Sequence, residues 1–386
     1  MDPQAPGASL EIVGEKTNEL VTAIEELRQL GLKELDTELP ELVLVGDQSA
    51  GKSTLMGAIA EINLPKDKGM CTRCPTNIKT SPGNSWSCKV SLHQYYYYST
   101  DSKRTPAPNK ANRFPPWKEK TDGLTIKPFK TISEKSELED VLRWAQIALL
   151  NPGQVVTPIR TRLQSLTSVS MLSRDPKLYV PGSGAIAEQG LKPGEKHQAD
   201  FSPNVIAIEI CGPRLPALSF YDLPGNYVSA ASAEETYLIQ VFDFLTEKYI
   251  KHENALVICA ITMANDPGSS KSSAIIRDFK ADKRCIGVLT MPDRLAGGST
   301  HQDFDDILRG KTYVFPHGYH VTKQPGPDFQ LRPGYDYHAQ AREEEEDFFQ
   351  SDPRWSGEWS SFQSRCGTGA LQKRLSDLLA LQIFQR

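Results

Sequence analysis

Residues 46–53 read GDQSAGKS, a complete G-x-x-x-x-G-K-S motif placed between the apolar run Leu42–Val45 and the helical pattern Lys52–Ala60. This order predicts a strand, a phosphate-binding loop and a helix, which is the start of an α/β fold. In such a loop backbone N–H groups surround phosphates, Lys52 reaches the β and γ phosphates, and Ser53 binds Mg²⁺. The predicted nucleotide-binding residues of this segment are Gly46, Asp47, Gln48, Ser49, Ala50, Gly51, Lys52, Ser53 and Thr54.

A second motif, DLPG, occupies residues 222–225 and directly follows the apolar run Leu218–Tyr221. A P-loop fold places its second Mg²⁺-orienting carboxylate at the end of such a strand, and Asp222 fits that role. Gly225 can offer its backbone N–H to the γ phosphate. Alone, D-x-P-G is a common turn, but its position after the P-loop and after an apolar strand favours the functional interpretation.

A third motif, TMPD, follows the apolar run Arg284–Leu289 and contributes Thr290, Met291 and Asp293. A carboxylate at Asp293 can accept the two donors on the Watson–Crick edge of guanine, which adenine does not offer in that arrangement. By itself the motif favours a strand-end turn with a capping aspartate. Its weight as a base-recognition site depends on the two motifs before it.

Strand and helix patterns alternate from Val205 to Leu308, which predicts a mostly parallel sheet with helices on both faces. The predicted fold class is therefore the three-layer α/β/α P-loop NTPase. Residues 1–40 form an N-terminal segment with an amphipathic helix, 41–330 the nucleotide-binding domain, and 331–386 a set of C-terminal helices. Residues 101–130 are rich in proline, lysine and asparagine without periodicity, and we interpret them as an insertion loop.

Composition excludes several classes of protein. Lys and Arg number 44 against 48 Asp and Glu, a formal charge of -4, which argues against a general nucleic-acid binder. The longest apolar run, 255–264, is about half of what a membrane-spanning helix needs, and the N-terminus lacks a secretory pattern. The sequence predicts a soluble cytoplasmic protein whose association with membranes is at most peripheral.

Together these motifs resemble the GTPase domain of the dynamin superfamily, most closely its fungal Mx-like members. The resemblance covers roughly residues 17–386 and includes segments outside the nucleotide motifs. The matching segments are GDQSAGKS at 46–53, CTRCP at 71–75, AQIALLNPG at 145–153, DLPG at 222–225, TMPD at 290–293, LRGK at 308–311 and REEEEDFFQSDPRW at 342–355.

The resemblance implies a mechanism, carried over where residues match. In dynamin-like enzymes the position of Gln48 helps place the attacking water, and Ser49 helps hold a K⁺ or Na⁺ ion that replaces an arginine finger. The threonine matched by Thr72 closes over Mg²⁺ and the water, which makes Ser53, Thr72 and Asp222 the expected Mg²⁺ ligands. The implied catalytic residues are Gln48, Ser49, Lys52, Thr72 and Gly225. Family members also dimerise transiently through their GTPase domains.

The base-recognition segments depart from the family pattern. The family motif usually reads T-K-x-D, whereas Met291 stands at the lysine position and keeps only an apolar cover. The later base-binding segment, which contributes Lys323 and Gln324, has Pro325 where the family tends to have arginine. The resemblance therefore leaves guanine selectivity as the least defined property of the site.

A larger departure concerns the C-terminus. Dynamin-type proteins continue into a long helical stalk, whereas this chain stops within a helix predicted over Thr368–Phe384. The apolar stripe of that helix is explained by packing within the chain or, as a hypothesis, by self-association through an exposed edge. The stripe consists of Leu371, Leu375, Leu378, Leu379 and Ile383.

Two functions fit these observations best, and a third, an ATPase, would require Asp293 to be irrelevant to base choice. The first is a GTPase that binds GTP and Mg²⁺ and releases GDP and phosphate, assisted by dimerisation of the domain. The alternative is a nucleotide-dependent interaction module with little turnover, which regulates full-length dynamin-like partners. Met291 and the absent stalk favour the alternative, while the intact P-loop, Thr72 and DLPG favour hydrolysis.

Overall fold

The computed structural model describes residues 41–62, 64, 72–99, 107–152, 198–213, 215, 218–226, 233–295, 297–326 and 328–384. The amphipathic helix predicted before residue 41 lies outside these ranges. The strands are β1 (Glu41–Gly46), β2 (Thr76–Pro82), β3 (Ser87–Gln94), β4 (Tyr96–Tyr98), β5 (Trp117–Glu119), β6 (Thr125–Ile132), β7 (Val205–Gly212), β8 (Leu218–Asp222), β9 (Ala255–Thr262), β10 (Cys285–Thr290) and β11 (Tyr319–Thr322).

The α-helices pack on the faces of the sheet and at its ends. They are α1 (Lys52–Ala60), α2 (Leu138–Leu150), α3 (Thr236–Ile250), α4 (Lys271–Asp278), α5 (Ser299–Leu308), α6 (Tyr337–Ser351), α7 (Pro353–Ser356) and α8 (Thr368–Phe384). Two of them, α1 and α8, begin and end at the residues that the sequence predicts. Within the described residues, no helix is both long enough and apolar enough to cross a membrane.

A nine-stranded sheet runs through the molecule in the order β11-β10-β9-β1-β8-β2-β7-β3-β6. From β11 to β8 each pair of adjacent strands is parallel, and β2 is parallel to β7. Antiparallel pairing joins β2 to β8, β3 to β7 and β3 to β6. The predicted α/β class with a mostly parallel sheet is therefore confirmed.

Strand β1 shows how the sheet separates two apolar layers. Because successive side chains of a strand point to opposite faces, Leu42 and Leu44 enter one core cluster while Val43 and Val45 enter the other. The first cluster contains residues of α1, α2 and α8, and the second contains residues of α3, α4 and α5. Helices consequently cover both faces, as the alternation of strand and helix patterns predicts.

The segment at about 101–130, which the sequence suggests is an unstructured insertion, contains β5 and the start of β6. Strand β6 pairs with β3 and forms the outer edge of the large sheet. Most of its side chains are exposed or partly exposed, because an edge strand packs against few neighbours. The sequence of β6 therefore lacks the apolar pattern from which a strand is predicted. Strand β5 pairs with β4 and buries Trp117, whose indole N–H donates to the carbonyl of Phe201 at 3.0 Å.

Candidate nucleotide-binding site

The GDQSAGKS loop lies at the carboxyl edge of the parallel strands. Five adjacent strands of the sheet run parallel to one another, namely β11, β10, β9, β1 and β8. Their carboxyl ends therefore lie at the same edge of the sheet. In open α/β sheets, ligands bind outside the carboxyl ends of the strands. The three sequence motifs therefore meet on one side of the molecule although they are far apart along the chain.

The shape of the loop depends on its glycines. Gly51 has a φ of 75°, a left-handed conformation that glycine adopts without strain. Gly46 lies so close to β9 that a Cβ there would stand 2.8 Å from the carbonyl oxygen of Ala260. The backbone thus curls tightly between β1 and α1, and the amino end of α1 offers backbone N–H groups of the kind that favour an anion.

Lys52 is held across this loop. Its side chain is largely buried, and its Nζ donates a hydrogen bond to the carbonyl of Asp47 at 2.9 Å. Gly225 of the DLPG motif packs directly against it, because a Cβ on Gly225 would lie 2.9 Å from Nζ and 3.0 Å from the Cα of Gln48. The second motif therefore contacts the first, and a side chain at residue 225 would crowd the backbone of Gln48.

Ser53, Thr72 and Asp222 converge beside Lys52. The Ser53 hydroxyl donates to Oδ2 of Asp222 at 2.9 Å and lies 3.2 Å from the hydroxyl oxygen of Thr72. Thr72 reaches this point because it precedes β2, whose antiparallel pairing places Thr76 opposite Asp222. The predicted Mg²⁺ ligands thus come together from three separate segments.

The carboxylate of Asp222 suits a bound cation. It is only 3% exposed, and its Oδ1 has no hydrogen-bond partner among the described residues. Burial raises the pKa of Asp222, and the nearby Lys52 charge and hydroxyl hydrogen bonds oppose that rise. A buried carboxylate oxygen beside two hydroxyls is the hard oxygen set that Mg²⁺ prefers, so the residues present fit this ion.

Two residues that the sequence analysis missed hold the loop in place. Asp47 accepts hydrogen bonds through Oδ1 from the backbone N–H of Ser272 at 2.9 Å and from its hydroxyl at 2.7 Å. The backbone of Asn226 pairs with that of Asp47, and its carbonyl accepts a hydrogen bond from the N–H of Gln48 at 3.2 Å. Ser272 and Asn226, the two supporting residues, are both buried.

No local pattern reveals these supports, because Ser272 lies far from Asp47 along the chain and enters through the first turn of α4. The only signal is that Asn226 directly follows DLPG. Gln48 and Ser49 themselves are exposed, and Ser49 has a φ of 65°. The two predicted catalytic side chains are therefore accessible, on a loop whose backbone is bonded to Asn226.

A pocket of about 440 Å³ opens beside the P-loop. Thr290 links the two, since its hydroxyl donates to the carbonyl of Ala50 at 2.9 Å. The pocket gathers most of the predicted base-recognition residues and several that the sequence analysis did not select. Its lining consists of Gly51, Thr54, Thr290, Met291, Asp293, Arg294, Gln324, Pro325, Gly326, Phe329 and Tyr337.

Lys323 is the predicted base-binding residue that does not line this pocket. Its backbone N–H donates to Oε1 of Glu345 at 2.8 Å, and its ammonium lies 5.6 Å from the centre of the Phe348 ring. The adjacent Gln324 lines the pocket and donates through Nε2 to the hydroxyl of Thr368 at 2.8 Å. The two neighbouring residues thus point to different surroundings.

A glycine-rich loop at the carboxyl edge of a parallel sheet, with a buried lysine and a Ser–Thr–Asp oxygen set, defines a P-loop nucleoside-triphosphatase domain. A sequence model of the dynamin family matches residues 42–292, from β1 to the TMPD motif. The chain therefore belongs to the dynamin family and carries its GTPase domain.

Curated relatives agree with this assignment. The chain is 23% identical over 315 residues to the interferon-induced GTP-binding protein Mx2 of Macaca mulatta, covering 81% of this chain and 33% of that protein. It is 24% identical over 346 residues to Mx1 of Canis lupus familiaris, covering 88% and 40%. A match to Mx of Perca fluviatilis is 22% identical over 316 residues, covering 81% and 78%. The chain spans less than half the length of the two mammalian relatives.

Proposed function

We propose that the chain binds GTP at this site and hydrolyses it to GDP and phosphate with Mg²⁺ as cofactor. The observation that carries the proposal is the convergence of Ser53, Thr72 and Asp222 beside the buried Lys52. In phosphoryl transfer the protein chiefly positions groups and neutralises charge, and these residues offer both in one place. The names of the Mx relatives, which describe GTP-binding proteins, support the same nucleotide.

The phosphates occupy the curled backbone of residues 46–53, where N–H groups and the amino end of α1 favour negative charge. Lys52 binds the β and γ phosphates, and the N–H of Gly225 donates to the γ phosphate. Ser53 and Asp222, with Thr72, would hold the Mg²⁺. The bound ion would supply the charge neutralisation that developing negative charge on the phosphate oxygens requires.

Water is the second substrate. Gln48 and Thr72 orient it so that its oxygen attacks the γ phosphorus, while the bond from that phosphorus to the bridging oxygen of GDP breaks. Ser49 would help hold a K⁺ or Na⁺ ion, and that ion would supply positive charge opposite the negative charge that develops in the transition state. The supports at Asn226 and Ser272 keep the backbone beneath Gln48 fixed, so that this orientation is formed before GTP binds.

We further propose that the domain forms a transient homodimer across its nucleotide face. Gln48 and Ser49 are exposed on that face, so a second copy can cover them and exclude water from the transition state. A full-length dynamin-like protein is an alternative occupant of the same face. Hydrolysis assisted by dimerisation predicts that activity per molecule rises with protein concentration.

A second candidate function is GTP-dependent interaction with little turnover, and Met291 is the observation that favours it. This residue adopts a φ of 57° at the end of β10, and its sulfur accepts a weak hydrogen bond from Thr262 at 3.6 Å. A methionine offers the base no charge–dipole contact. A domain that binds GTP without orienting the γ phosphate for attack would act as a nucleotide-dependent switch and not as a catalyst.

Phosphate release from GTP and from ATP, in Mg²⁺ and K⁺ across a dilution series, tests the proposal. We expect release from GTP alone, rising more than in proportion to protein concentration, and about 100-fold lower in Lys52→Ala because the phosphates lose a charged donor. Lys251→Ala is the matched control, since Lys251 is exposed near the opposite edge of the sheet. Release that persists in Lys52→Ala would refute the proposal.

A further inference from the structure

The base pocket has aromatic residues that belong to none of the sequence motifs. Phe329 and Tyr337 line it together with Met291 and Asp293. Phe329 follows the segment that contains Gln324 and Pro325, and Tyr337 is the first residue of α6. The pocket therefore receives an apolar surface from a part of the chain beyond the nucleotide motifs.

The two aromatic rings pack against each other. Their centres lie 5.1 Å apart with an interplanar angle of 72°, an edge-to-face contact of the kind that aromatic pairs prefer. Phe329 is half-buried although its neighbours at 328 and 330 are exposed. The backbone N–H of Phe329 donates to the carbonyl of Gly326 at 3.2 Å, so a turn directs this residue inward.

The side chain of Gln340 holds the loop that carries Phe329 through two hydrogen bonds to its backbone. This side chain is buried, its Oε1 accepts from the N–H of Arg332 at 2.7 Å, and its Nε2 donates to the carbonyl of Gln330 at 2.9 Å. Asp336 caps α6 by accepting from the N–H groups of His338 and Ala339, both at 3.0 Å. The loop is therefore fixed on both sides of the exposed residues 331–336.

Met291 supplies apolar surface from a different segment. Its Cε lies near Gly51, where a Cβ would stand 3.5 Å away, so the side chain rests against the P-loop. Its left-handed backbone conformation is uncommon for a residue with a long side chain, which indicates that the surrounding structure holds it there. The pocket thus has apolar surface from the TMPD segment and from the Phe329 loop.

We propose that Phe329, supported by Tyr337, forms with Met291 an apolar clamp for the faces of the purine base. This inference rests on the proposed function, because it names how that same site holds its nucleotide. The clamp contributes affinity by stacking, which every base offers, while the carboxylate of Asp293 reads the base edge. Affinity and selectivity are thereby assigned to different residues.

Calorimetric titration of the chain with GDP and with ADP separates these two contributions. We expect Phe329→Ala to raise the Kd of both nucleotides about tenfold, equivalent to about 1.4 kcal/mol of binding free energy. The ratio of the two Kd values should stay unchanged. Asp293→Asn should instead reduce the ratio of ADP to GDP Kd while Phe329 is intact. Leu331→Ala is the control, because Leu331 lies in the same loop, 50% exposed and away from the pocket.

Phe329→Trp provides a readout that a purely structural role would not change. We expect this variant to keep GDP affinity within about threefold of wild type, since indole also stacks, and to lose part of its added fluorescence when GDP binds. Wild-type GDP affinity in Phe329→Ala, or fluorescence at position 329 that ignores GDP, would overturn the clamp alone. A wild-type chain that binds neither GDP nor GTP would overturn the proposed function and the clamp together.

Discussion

Glu345 is a buried carboxylate that joins three parts of the molecule. It lies on α6, its Oε1 accepts from the N–H of Lys323 at 2.8 Å, and its Oε2 accepts from the N–H of Thr368 at 2.7 Å. Burial raises the pKa of Glu345 above its ordinary value of 4.5, and the two backbone hydrogen bonds oppose that rise. One side chain therefore ties the base segment to the amino end of α8.

The hydrogen bonds of Glu345 predict the effect of Glu345→Gln. Two N–H donors face the two oxygens of the carboxyl group, both of which can accept a hydrogen bond, whereas an amide offers one oxygen, so one donor loses its partner. We expect the free energy of unfolding to fall by about 1–3 kcal/mol, measured by urea denaturation at about pH 4.5. Glu346→Gln, at an exposed neighbouring position, should change it by less than about 0.5 kcal/mol.

The raised pKa adds a pH dependence to this prediction. Because the folded pKa lies above the unfolded one, the folded state binds the proton more tightly. The contribution of Glu345 to stability is therefore present below the unfolded pKa and is lost as pH rises through the folded pKa. The deficit of Glu345→Gln against wild type should shrink between about pH 4.5 and pH 7. A deficit that stays constant over this range would contradict the assignment.

At the level of single residues, the sequence predicts side chains that the structure places together, but it does not predict the residues that support them. Lys52, Ser53, Thr72 and Asp222 were predicted, and the structure brings them together. Such groups sit within short motifs whose chemistry requires particular residue types. Ser272 was not predicted, because a hydrogen bond to Asp47 across 225 positions leaves no local pattern.

At the level of elements, α8 is part of the core. Its residues Leu371, Leu375, Leu378 and Leu379 are buried in the cluster that also contains α1 residues. Gln372 adds a hydrogen bond from its Nε2 to the carbonyl of Ile59 at 2.8 Å. Packing within the chain therefore accounts for these four leucines of the predicted stripe. The side chain of Ile383, the fifth residue of the stripe, is not among those that the structure describes.

Leu375→Ala tests that account. Removing a fully buried leucine leaves a cavity, and we expect the free energy of unfolding to fall by about 2–5 kcal/mol in a urea titration. Leu381→Ala is the matched control on the same helix, since Leu381 is 51% exposed, and should change stability by less than about 0.5 kcal/mol. Equal effects of the two substitutions would show that α8 is not packed as described.

The helix that follows the P-loop motif and the leucine-bearing helix α8 were predictable from sequence, as their matching bounds show. Strand β6 was not, because Lys127, Pro128 and Lys130 interrupt its apolar pattern at an edge position. Edge strands carry such residues because they discourage pairing with other chains. The pairing of β2 with β8 was likewise out of reach, since antiparallel register depends on contacts between distant segments.

At the level of the whole molecule, the sheet brings together in one site three motifs that lie far apart along the chain. Strand β1 lies between β8 and β9, so the P-loop stands next to DLPG on one side and, through β9 and β10, next to TMPD on the other. The order of strands could not be derived from the motifs alone. Once the order is known, the meeting of phosphate, metal and base contacts at one edge follows from the parallel direction of those strands.

The central claim is that this edge of the sheet hydrolyses GTP and does not only bind it. Single-turnover conversion tests this most directly, with excess protein, Mg²⁺ and K⁺, and with GTP and GDP separated by chromatography. We predict that bound GTP becomes GDP, and that Gln48→Ala binds GTP with similar affinity but converts it at least about 100-fold more slowly. GTP that remains intact on the wild-type chain, no faster in its decay than in buffer, would contradict the account and leave an interaction module.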